Sequence, residues 1–205
     1  MFKLYTLISA VFLSVLLVSP AAASDQIVLG DGLAGRSKAE PCFRCHGQNG
    51  ISQQADIPML AGQHPEYLVK QIIDFRSGLR VNHEKETIVH ALNSRTDIKD
   101  VAAYFASQYR PVSELKVNHR LASMGQQIFN EIYKCNLCHG ERGKGTGKPD
   151  KNIPVIIGER KDNIVRMLLD YRYDIRINDS YGMMIKITKK MTDEELIAVA
   201  FYLGS

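Results

Sequence analysis

The sequence predicts an all-α protein built from two tandem copies of one small helical domain. Three observations lead there. Apolar residues recur at helical spacing, with no alternating pattern that would make a strand. "CFRCH" (Cys42 to His46) recurs as "CNLCH" (Cys135 to His139). And "IPMLAGQHPEYLVKQIIDFRSGLRVN" (Ile57 to Asn82) lies without a gap over "IPVIIGERKDNIVRMLLDYRYDIRIN" (Ile153 to Asn178). Pro58/Pro154, Gly62/Gly158, Asp74/Asp170, Arg80/Arg176 and Asn82/Asn178 are identical between the copies, and "VAAYFAS" (Val101 to Ser107) matches "VAFYLGS" (Val199 to Ser205).

From the N-terminus, Lys3 precedes an apolar run that ends in "SPAAAS", with Ala21 and Ala23 suited to signal-peptidase cleavage. Residues 1–23 are therefore expected to be a cleavable signal peptide, the alternative being a retained anchor, with the mature chain starting near Ser24. Residues 24–112 form the first copy and 113–205 the second. In the first, a helix from about Asp31 to Glu40 leads into Cys42. Pro65 suits the opening turn of the next helix, whose apolar face is Leu68, Ile72 and Phe75 and which Gly78 ends. "YRPVSELKVNHR" is aperiodic and reads as the linker. In the second copy a helix from about Leu121 to Tyr133 leads into Cys135, and "TDEE" offers a capping box from Thr192 and Glu195 to the last helix. "GERGKGTGK" fails as a phosphate loop, because Pro149 stands where Ser or Thr is needed.

Composition narrows the function. The chain has 205 residues, 45% hydrophobic, and a net charge of +4 spread in short mixed runs. That supports packed cores and gives no basic surface for nucleic acid. The four cysteines all lie in the two CxxCH motifs, which are signatures of c-type haem attachment. Two thiols on one turn add to the two vinyl groups of a porphyrin, and the adjacent imidazole then lies under the iron. A thioredoxin-like pair would need a βαβ setting, and a zinc site a fourth ligand. Two haem c groups are expected, held by Cys42 and Cys45 and by Cys135 and Cys138, with no disulfide.

The paired motifs, "LAGQHPEYLVKQ", "RVN" and "RIND" and the terminal "DVAAYFASQ" resemble the cytochrome c4 family of dihaem electron carriers over nearly all of the mature chain. The resemblance implies two class I cytochrome c domains related by a pseudo-two-fold axis, with haem propionates near the interface. It implies electron transfer in the periplasm between respiratory-chain partners, a membrane terminal oxidase among the candidates, with peripheral membrane association possible. It assigns His46 and His139 as proximal iron ligands, the carbonyls of Pro58 and Pro154 as their supports, and Arg80 and Arg176 to the propionates. In the second copy it assigns Met184 as the distal ligand, with Met183 the runner-up and Met191 a core residue.

The first copy departs from this pattern. Its only methionine beyond the leader is Met59, in the Ile-Pro turn on the proximal side. Matching Ile88 with Ile187 and Leu92 with Met191 sets Lys85, in "RVNHEKETIVH", opposite Met184. Lys85, His83 or an open iron are the candidates, His90 falling a turn too late. The alternative function follows from this gap: a dihaem oxidoreductase, thiosulfate dehydrogenase-like or peroxidase-like, using the first haem.

Overall fold

A computed structural model describes residues 30–112, 118–147 and 152–204, and within them only the backbone of 83–86. The expected leader and its expected cut before Ser24, residues 113–117 of the linker, Pro149, and the side chains of His83 and Lys85 lie outside the described residues. Everything regular among those residues is helical.

The first copy comprises α1 (Gly32–Lys38), α2 (Glu40–His46), α3 (Pro65–Arg76), α4 (His83–His90) and α5 (Arg95–Ala106). The second comprises α6 (His119–Gln127), α7 (Asn136–His139), α8 (Lys161–Arg172), α9 (Met183–Thr188) and α10 (Asp193–Leu203). In each copy the first helix crosses the last, α1 on α5 and α6 on α10. A glycine makes each crossing possible. A Cβ on Gly35 would fall 2.0 Å from the Asp100 carbonyl oxygen, and one on Gly125 2.0 Å from that of Ala198. Only a residue without a side chain lets the backbones approach so closely.

Caps fix the ends. Asp31 accepts from the Leu33 and Ala34 amides at the start of α1. Ser94 with Asp97, and Thr192 with Glu195, form capping boxes on α5 and α10. Leu68, Leu92, Ile98, Val101 and Phe105 build the first core. Ile128, Phe129, Ile164, Leu196 and Leu203 build the second.

Three local expectations change. The first helix does not run through to Glu40: Pro41 lacks an N–H and opens a separate helix, α2, that holds the whole motif. The helix before Cys135 starts at His119 and continues through a π turn over Ile128–Ile132. "HEKETIVH", where no helix is named from the sequence, is α4 itself from His83 onward.

The two copies meet across a pseudo-two-fold axis, visible in reciprocal bonds. The Gln63 carboxamide oxygen accepts from the Val155 amide at 2.8 Å, and the Glu159 carboxylate accepts from the Met59 amide at 2.8 Å. Arg110, in the stretch read as a plain linker, is buried there. It donates to the carbonyl oxygens of Ala61 (3.0 Å) and Ile157 (2.7 Å), which are matched positions of the repeat.

Candidate functional site

Each CxxCH motif lies on a short helix ended by a glycine at positive φ, Gly47 (75°) and Gly140 (74°), which turns the chain away immediately after the histidine. A helical turn sets both thiols and the imidazole on one side. The His46 Nδ1 lies 2.9 Å from the Pro58 carbonyl oxygen, and the His139 Nδ1 lies 3.1 Å from that of Pro154. A carbonyl only accepts, so Nδ1 carries the proton and Nε2 keeps its lone pair. Burial pushes the His139 imidazole below its ordinary value, against the opposing pull of the Pro154 carbonyl, and so favours that neutral ligating form.

Both motifs open onto one continuous cavity of about 660 Å³. Its walls include Leu68, Ile72, Phe75 and Val101 from the first copy, and Phe129, Ile164, Leu168 and Leu203 from the second. Cys42, Cys45, Cys135 and Cys138 all border it as free thiols. Burial among apolar groups pushes Cys42 and Cys135 up to about 11.

The methionines of the second copy separate by exposure. Met183, Met184 and Met191 all border the cavity, Met183 being 51% exposed, Met191 packed in the core at 7% and Met184 half-buried. The Met184 amide donates to the Asp179 carboxylate at 2.6 Å, and its carbonyl accepts from the Thr188 hydroxyl at 2.9 Å. In the first copy Ile88 borders the cavity as Ile187 does, and Leu92 is buried as Met191 is. His90 is exposed and does not border it. Met59 sits beside Pro58, on the same side of the pocket as His46.

Where the copies meet, Arg80 and Arg176 converge. Gln71 Oε1 accepts from Arg80 (2.7 Å), Arg176 (3.1 Å) and Asn178 (3.0 Å), and both guanidiniums approach the Met167 sulfur. Each also covers an aromatic ring 4.7 Å away, Phe75 for Arg80 and Tyr171 for Arg176. The side chains that accept from them here, Gln71, Met167, Asn178 Oδ1 and Tyr67 Oη, are all neutral. Burial pulls Arg80 down to about 10, and the like charge of Arg176 adds to that. Burial would raise the Tyr67 hydroxyl, but the charges of Arg176 and Arg80 and the Arg176 hydrogen bond outweigh it and bring the group below its ordinary value. Two cations beside a cavity, both favouring an anionic neighbour, fit a group that brings carboxylates of its own.

The site therefore fits haem: paired thiols, a supported imidazole, an apolar slot and guanidiniums where the slots meet. Among the described residues no group of three or more His, Cys, Asp and Glu side chains converges to hold a bare metal ion. Sequence reasoning missed Gln63, Glu159, Arg110, Tyr67 and Gln71. The repeat did hold a signal for two of them, because its gapless register pairs Gln63 with Glu159.

Fold and pockets define a dihaem c-type cytochrome, an electron-transfer protein. The cytochrome c family model matches residues 122–205. A cytochrome c4 from Thiocapsa roseopersicina is 35% identical over 89% of this chain and 95% of its own length. A thiosulfate dehydrogenase electron acceptor from Stutzerimonas stutzeri (strain A1501) is 33% identical over 90% of this chain and 87% of its own. The crystal structure of reduced recombinant cytochrome c4 from Pseudomonas stutzeri superposes with a TM-score of 0.77 at 29% identity, covering 85% of this chain and 97% of that one. The chain belongs to the cytochrome c4 family, and with that membership come two covalently bound haem c groups.

Proposed function

We propose that this protein is a periplasmic electron shuttle between respiratory-chain partners, and that it has no substrate of its own. The observation that carries this reading is the methionine on the wall of the second pocket. Met184 and His139, both of the second copy, border the same cavity, so a thioether and an imidazole are both available to one iron, and an iron holding both would keep no open position for a substrate. Haem, when bound, supplies a reversible one-electron couple. The residues do the rest.

In this reading Cys42 and Cys45 tether the first haem, and Cys135 and Cys138 the second. His46 and His139 are the proximal ligands, each fixed in rotation and tautomer by its proline carbonyl. Arg80 and Arg176 neutralise propionates at the interface. Met184 is the distal ligand of the second iron. Lys85 on α4, which the repeat register brings opposite Met184, is that of the first, with His83 as the alternative. Domain limits follow at 24–112 and 113–205, after a cleaved leader at 1–23. The name of the Stutzerimonas relative favours an electron donor of the thiosulfate-oxidising class, and a terminal oxidase is a fitting acceptor. The enzyme reading rests on the missing methionine of the first copy.

One experiment separates the two. Purified holoprotein should take up and return two electrons without oxidising thiosulfate or reducing peroxide. Turnover of either compound would make it an enzyme.

A further inference from the structure

The pseudo-two-fold interface is symmetric in its bonds but not in its charge. The amide of Val155 is held by the Gln63 carboxamide, and the matched amide of Met59 by the Glu159 carboxylate, both at 2.8 Å. Each amide belongs to a peptide group with a second job. The Pro58–Met59 peptide presents its carbonyl to the His46 Nδ1, and the Pro154–Val155 peptide presents its own to the His139 Nδ1. Each proximal histidine is thus connected, through one peptide group, to a side chain of the opposite copy. For His46 that side chain is an acid. For His139 it is an amide.

We propose that Glu159 is a positioning residue that holds the reduction potential of the first-copy haem below the value Gln would give there, acting on His46 through the Pro58–Met59 peptide. This rests on the reading of His46 and His139 as proximal ligands. A hydrogen bond to a carboxylate is roughly twice as strong as one to a neutral acceptor, and linked hydrogen bonds polarise one another. The Met59 N–H drawn toward Glu159 leaves the Pro58 oxygen more negative. That oxygen pulls harder on the His46 proton, and the imidazole becomes the more basic ligand. A more basic ligand stabilises the oxidised iron, which lowers the potential.

Glu159 is 7% exposed, so water screens it little. Its cationic neighbour does not cancel the asymmetry. Arg110 lies 3.6 Å from the Glu159 carboxylate, but its hydrogen bonds go to main-chain carbonyls of both proximal turns, Ala61 (3.0 Å) and Met59 (3.5 Å) in the first copy and Ile157 (2.7 Å) in the second. The cation serves both turns, whereas the carboxylate hydrogen-bonds to the amide of one. Its second oxygen is occupied locally, by the Arg160 amide at 2.9 Å. Gln63 differs in kind: it also donates to the Val155 carbonyl at 2.8 Å, which a carboxylate cannot do.

The test is a spectroelectrochemical titration of the holoprotein, with the hyperfine-shifted resonances of ¹⁵N-labelled His46 and His139 followed by NMR to assign each wave to its copy. Glu159→Gln should shift the first-copy reduction equilibrium about tenfold toward the reduced form, about 59 mV for one electron, and leave the second in place. Glu159→Gln deprives Arg110 of its buried counter-ion and can cost folding. The exchange Gln63→Glu with Glu159→Gln keeps one carboxylate at the interface, and it should raise the first potential and lower the second. Equal shifts at both haems, or none at either, would overturn the proposal. If the labelled spectra show that His46 is not on an iron, the proximal reading falls with it. If His46 is on the iron and the first potential stays put, this proposal alone fails.

Discussion

Lys85 carries the largest residue-level departure between the copies. A lysine that ligates must give up a proton held with a free value near 10.4, and metals select deprotonated ligands. Lys85→Met replaces a strongly donating amine with the thioether that Met184 offers in the second copy. The expected outcome is a change in the type of the ferric low-spin signal and a higher potential at the first haem, read by electron paramagnetic resonance and redox titration. An unaltered signal would transfer the ligand to His83. Residues of this kind were only partly legible in the sequence. The thiols and the histidines that follow them stand out in a five-residue motif with a chemical reason for its spacing. Arg110 did not, since its neighbours Tyr109 and Pro111 gave no periodicity and its bonds reach main-chain oxygens 49 and 47 residues away.

At the level of elements, the same crossing is pinned differently in the two copies. In the first, Asp100 on α5 accepts from the Asp31 amide (2.7 Å) and from Lys38 (2.5 Å), while Asp97 pairs with Lys38 at 2.7 Å. In the second, the matched position on α10 is Ala198, and α6 is held by packing and by a solvent-exposed Arg120–Glu194 ion pair at 3.4 Å. The Lys38 hydrogen bonds hold both carboxyls below their ordinary values. Their contribution is therefore present above the unfolded carboxylate value, about 3.9, and fades as pH falls through the lowered folded-state values. Amide protection in α1 and α5 should drop on acidification before that in α6 and α10, as hydrogen exchange of the holoprotein would reveal. Lys38→Met should remove most of that difference. Element type was readable from periodicity and caps, whereas two boundaries were not. A proline within the run split α1 from α2, and "HEKETIVH" has too little apolar patterning for its helix to declare itself.

For the whole molecule, the two ends of the shared cavity predict unequal irons. One is bordered by Met184 and the other by α4, which carries no methionine. Axial chemistry spans up to ~0.8 V across haem proteins, so two resolved one-electron waves are expected in a redox titration. A single unsplit wave would mean equivalent sites. The duplication, and with it the fold, was legible because the repeat aligns without a gap. The interface was not, because its bonds run from polar side chains to main-chain groups of the other copy, and no residue type announces such a bond.

The exchange of side chains between proximal turns also dictates an order of manufacture. Chains are made from the N-terminus, and earlier domains fold first. The first copy is complete in sequence long before Glu159, 100 residues beyond Met59, has been synthesised. Until then its Met59 amide lacks the carboxylate that accepts from it in the finished chain. The newborn half is a lock without its bolt, and the second half is the only part of the chain that can throw it.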